Sequence, residues 1–132
     1  RKSVISVEAG TSPVAAAKQL FEACVERLQR YDPLFTDCFS QDARIFYDEG
    51  EPRMLTGAEY KPRIRAAVAE FQSRGEFVTW RQPRYLPEGE RVRIEVERSS
   101  SERGELGRLT LLVAPTSDGG WRVVEMRGAA WR

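Results

Sequence analysis

Asp32-Pro33-Leu34-Phe35-Thr36-Asp37-Cys38-Phe39-Ser40-Gln41-Asp42-Ala43 is the stretch at which the chain changes from helix to strand. Asp32 is a helix-capping residue and Pro33 suits a first helical position, so a short helix carrying Leu34, Phe35, Cys38 and Phe39 is predicted. Directly after it, Ala43-Arg44-Ile45-Phe46-Tyr47 has strand propensity, and Asp48-Glu49-Gly50-Glu51-Pro52 has the chemistry of a turn that stops a strand.

Upstream, Ser12 and Pro13 repeat the cap-plus-proline signal. Val14, Ala17, Phe21, Cys24, Val25 and Leu28 follow at helical spacing, which gives a first helix with one core face. Tyr31 ends that pattern, so the two helices meet at a tight corner. Residues 1–11 lack periodicity and are expected to form an N-terminal arm, with residues 12–132 forming a single domain.

Downstream, Met54 and Leu55 suit a short return strand. Thr56-Gly57 introduces a third helix in which Tyr60, Ile64, Ala67, Val68 and Phe71 share a face, with Pro62 expected in its first turn. Beyond Ser73-Arg74-Gly75 the period changes to two. Residues 76–85, 91–99, 106–114 and 121–131 are four strand candidates separated by turn chemistry, an antiparallel meander. In the second of them Val92, Ile94 and Val96 alternate with Arg91, Arg93, Glu95 and Glu97, so one face is apolar and the other charged. The fold class is α+β.

Composition narrows the function. The 132 residues fit one core, and 21 basic against 20 acidic side chains leave a net charge of +1, without the basic surplus that a phosphate backbone requires. Nucleic acid is therefore not expected as a partner. Apolar runs fall far short of the roughly 20 residues that span a bilayer, so no membrane association is expected either. The absence of histidine excludes Ser-His-Asp and Cys-His nucleophiles and removes the commonest transition-metal ligand; no metal or cofactor is expected.

The chain opens at Arg1, so an upstream segment could have been removed. Both a cytoplasmic home and, after loss of a signal peptide, a periplasmic or secreted one stay open. Cys24 and Cys38 match neither a zinc nor a redox spacing, and the expectation is two reduced, buried thiols. They lie equally far on either side of the Tyr31 corner, however, so a bridge between them is geometrically permitted.

The element order resembles the nuclear transport factor 2-like superfamily, which includes SnoaL-like polyketide cyclases and ketosteroid isomerases. The likeness rests on residues 32–43, on Leu55-Thr56-Gly57 before the third helix, and on Gly120-Trp121-Arg122-Val123-Val124-Glu125-Met126. It implies a cystatin-like roll: a curved antiparallel sheet wrapped around N-terminal helices as a cone, with a pocket between the first helices and the concave face. The isomerase pattern expects an Asp base where Tyr47 stands, with Asp48 one step on. It expects a phenol near Cys24 and a buried acid near Thr110 or Leu111. All three positions depart from it. Other members use an Asp-Arg-Asp arrangement, for which Glu95, Glu97 and Glu125 are the strand carboxylates available; the first two are more simply a solvated ladder with Arg91 and Arg93.

The leading expectation is thus a non-catalytic domain that binds a small hydrophobic ligand in an apolar pocket near Tyr47, Tyr60, Trp80 and Met126, with Arg93 as a polar lining residue if the charged face of its strand turns inward. Met126, Gly128 and Ala130 in step suggest a face left partly empty. A cyclase, dehydratase or isomerase is the first alternative, using Asp48, Arg93 and Glu95. The second is an interaction domain, forming a homodimer through Trp121 and Trp131 on the outer sheet face.

Overall fold

The computed structural model describes residues 4–47 and 53–129. Helix α1 (Pro13–Gln29) is capped by Ser12, whose hydroxyl accepts from the Ala15 amide. A single 3₁₀ segment (Pro33–Cys38) follows, its first amide taken by the Asp32 carboxylate. Strands β1 (Phe39–Tyr47) and β2 (Arg53–Thr56) lead into helix α2 (Gly57–Arg74). Strands β3 (Val78–Glu88), β4 (Arg91–Ser100), β5 (Gly104–Pro115) and β6 (Trp121–Ala129) complete the chain.

The six strands form one sheet in the order β2-β1-β6-β5-β4-β3. The expected meander β3 to β6 is present, but the sheet is mixed rather than wholly antiparallel, because β1 lies parallel to β6. The chain reaches that position through α2 and the meander, the kind of long connection that a parallel pair requires. Helix α2 starts at Gly57, where Thr56 and Glu59 form a reciprocal capping box. Pro62 therefore falls in the second turn and not the first. Gly57 itself is required by close approach: a Cβ there would stand 1.8 Å from the Ser40 carbonyl oxygen, which accounts for glycine after Leu55-Thr56.

The core lies between the helices and one sheet face. Leu20, Phe35, Phe39, Ile45, Val92, Ile94, Val113 and Met126 are all sealed from solvent. Val4, Ile5 and Val7 pack against this core, and the Val7 amide donates to Gly119 O, so the described part of the expected arm is docked.

Cys24 and Cys38 are bridged, with their Cα atoms 6.2 Å apart. This overturns the expectation of reduced thiols. The Tyr31 corner, where the backbone is left-handed (φ 56°), folds the 3₁₀ segment back onto α1 and brings the two cysteines together.

The last strand holds a second correction. Leu112 pairs with Glu125 but Val113 pairs with Val123, so Val124 is an extra residue in β6. Such a bulge inverts the alternation. Trp121 and Val123 consequently face the core, Glu125 faces outward, and Met126 faces inward again. Trp121, expected as an exposed anchor, is only 5% exposed in the isolated chain. Trp131 lies outside the described residues, so the proposed two-tryptophan interface loses the one member that is described.

Candidate functional site

The inward face of β4 carries Val92, Ile94, Val96, Arg98 and Ser100, all buried. The apolar alternation thus ends in an arginine that keeps the same phase. Arg98 is the main residue missed by the sequence reading; following the alternation two steps past Val96 would have found it.

The residue as a whole is only 8% exposed. Nη2 donates to Leu106 O at 3.1 Å and to Gly128 O at 2.9 Å, across β5 and onto β6. Gly128 (φ 85°) has to be glycine there, since a Cβ would come within 2.5 Å of Arg108 O. Among the described residues Arg98 forms no ion pair, and its buried Nε has no hydrogen-bond partner. Burial lowers its pKa from the ordinary arginine value; Tyr60 opposes that and the neighbouring Arg103 adds to it.

Arg98 lines a cavity together with Tyr60, Ile64 and Phe71 of α2, Trp80 of β3 and Met126 of β6. Arg103 and Leu106, from the β4–β5 turn and β5, line it too. The cavity is narrow: about 40 Å³ is open to the centres of water-sized molecules, room for a few waters and too little for a drug-sized ligand without side-chain movement. Tyr60 is buried, and burial first, then Tyr47, raises its phenol pKa so that it stays protonated at neutral pH.

Beside the cavity, Glu76 is fully buried immediately after α2. It accepts from Ser100 Oγ at 2.5 Å, Arg74 Nη2 at 2.6 Å and Arg103 Nε at 2.7 Å. Burial alone would raise its pKa, but these three hydrogen bonds and the Arg103 charge outweigh it and hold the carboxyl at about 2. Arg103 also stacks over the Phe71 ring, 5.7 Å from its centroid.

Tyr60, Trp80 and Met126 line the cavity. Tyr47 is buried but stands behind Tyr60, with ring centroids 6.5 Å apart, and does not line it. Asp48 lies outside the described residues. Arg93 is on the other sheet face: it pairs with Glu88 and lies 3.9 Å from Glu125. The reason is the β4 alternation, which turns Val92 and Ile94 inward and leaves Arg93 and Glu95 outside. The three isomerase positions hold a bridged Cys24, a buried Tyr47 and, inward on β5, an apolar Leu111. Glu125 is buried on the outer side under Arg44 and Arg127.

No family model and no curated protein matches the chain. Solved structures do. An NTF2-like protein of unknown function from Pseudomonas putida is 14% identical, with a TM-score of 0.65 over 89% of this chain and 87% of that one. A candidate dehydratase of the NTF2-like family from Streptomyces avermitilis is 10% identical (TM-score 0.67; 86% and 91% covered). The yeast UBP3-associated protein BRE5 is 12% identical (TM-score 0.62; 89% and 95% covered). At these identities the likeness defines a fold and no activity. The chain has the nuclear transport factor 2-like fold.

Proposed function

We propose that this domain binds a small, mainly apolar molecule in the cavity between α2 and the concave sheet face, without chemical turnover. The observation that carries this reading is the lining: aromatic and aliphatic side chains from six elements around a few convergent polar groups, the usual composition of a ligand site. Catalysis on a carbonyl needs a base beside the oxyanion donors. Tyr60 and Arg98 could serve as donors, but among the described residues no carboxylate lines the cavity. That absence of a described base favours binding over the cyclase, dehydratase or isomerase alternative.

Trp80 gives the test. Titration with small aromatic compounds is expected to change the fluorescence of the wild type saturably, and the change should vanish in Trp80→Phe. An Ala67→Trp substitution, which fills the cavity, should abolish binding while the protein keeps its circular dichroism. Binding that survives Ala67→Trp would place the ligand elsewhere and overturn the reading.

A further inference from the structure

We propose that the cavity selects an anionic ligand, an apolar molecule ending in a carboxylate or an equivalent oxyanion, which Arg98 receives. This rests on the reading that the cavity is the ligand site and adds the charge of what enters it.

Three observations converge. Arg98 is more than nine-tenths buried, yet the described residues offer it no carboxylate, only two main-chain carbonyls on one nitrogen. Buried charges are ordinarily paired, because an isolated one loses its hydration with no compensation. The contrast with Glu76, which has three strong donors a strand away, shows that this fold does pair its buried charges elsewhere. Second, the donors converge: Arg98 Nε and Arg103 Nη1 are both buried without a partner, and both residues line the same cavity. Third, the rest of the lining is apolar but for the Tyr60 phenol, so a charge-assisted bond formed there is less screened than in bulk water. With Arg103 already neutralised by Glu76, the cavity keeps one uncompensated positive charge, which a monoanion matches. Carboxylate suits guanidinium because two oxygens meet its planar fork.

The test uses matched pairs of neutral and anionic probes on the intact chain: phenylacetate against phenylacetamide, and acetate against acetamide, read by Trp80 fluorescence and by the side-chain Nε–Hε resonance of Arg98. The acids are expected to bind at least about tenfold more tightly than the amides and to shift the Arg98 resonance. In Arg98→Met the acid is expected to lose that advantage while the amide binds as before. Acid and amide binding equally to the wild type would overturn the anion proposal and leave the apolar-pocket reading standing. No saturable response to either member of both pairs would overturn the two together. The wild-type comparison needs no variant, so it decides the question even if Arg98→Met does not fold.

Discussion

Two parts of the interior meet at Phe35 and Trp80, and they are built differently. Toward α1, the Cys24–Cys38 bridge sits among Leu20, Phe21, Phe39 and Val123, and the space left over is about 10 Å³. Toward the end of α2, the same two aromatic rings look onto a cavity about four times as large, with Arg98 in its wall and Glu76 beside it. The first part is closed by dispersion and a covalent link and has nothing to offer a ligand. The second gives up close packing and holds itself together by charge. Within that second part, Glu76 is satisfied three times over and Arg98 only partly, so one charge is structural and the other is available.

Breaking the charged end should have the largest effect. Glu76→Gln leaves Arg103 and Arg74 without their shared carboxylate and Ser100 with a weaker acceptor. A loss of about 4 kcal/mol is expected, as for removal of one partner from a buried ion pair, measured by urea unfolding. A loss below about 1 kcal/mol would mean that Glu76 is not what fastens α2 to β4 and the β4–β5 turn. Breaking the covalent end should come next. The bridge spans a sequence separation of 14, and the loop-entropy estimate for such a link is about 3 kcal/mol. Cys24→Ser with Cys38→Ser should therefore unfold at lower urea, and mass spectrometry after alkylation of the unreduced, denatured wild type should find no free thiol. Two alkylated cysteines would remove the covalent half of the comparison.

Acid sharpens the difference between the two ends, since only one of them titrates. The Glu76 carboxyl has a folded pKa of about 2 against an ordinary 4.5. A depressed pKa means that the charged form is bound more strongly in the folded state, so this stabilisation is complete above the ordinary value and is lost as pH falls from 4.5 through 2. Allowing for the solvent around Arg74 and Arg103, roughly 2 kcal/mol should disappear over that window. In Glu76→Gln the same stretch of the stability–pH curve should be flatter. Equal slopes in the two proteins would assign the acid sensitivity to other carboxylates.

The layout of helices and meander was legible because each element carries its own local signal: Ser12 and Asp32 before prolines, Thr56 before Gly57, and alternation along β4. The failures share a physical origin. Alternation is a period-two rule, and a single extra residue such as Val124 inverts it with no mark in composition, which is how Trp121 came to be placed outside. The bridge depends on how far the left-handed Tyr31 closes the corner, a tertiary property. Tyr60, Trp80 and Met126 were legible as cavity wall because apolar side chains on inward faces gather there. Arg98 was missed because charge on a strand suggests solvent, although its phase with Val92, Ile94 and Val96 says otherwise.

The smallest expected effect tests that phase directly. Arg93 and Arg98 lie on one strand five residues apart, and alternation sends the first outward and the second inward. Arg93 bonds to Glu88, whose side chain is 44% exposed, and a partner so open to water contributes little. Of its other acidic neighbours, Glu125 keeps Arg44 at 2.6 Å and Arg127 at 3.0 Å when Arg93 is gone, and Glu95 keeps Arg84. Arg93→Gln should therefore cost less than about 1 kcal/mol in urea unfolding and leave the affinity for phenylacetate unchanged within about twofold, whereas Arg98→Met removes the preference for the acid. The inside and outside of β4 would then be separated by one measurement on two arginines of the same strand. An Arg93→Gln protein that lost the acid preference would show that ligand charge is read on the outer face, and the assignment of the cavity as the anion site would fall with it.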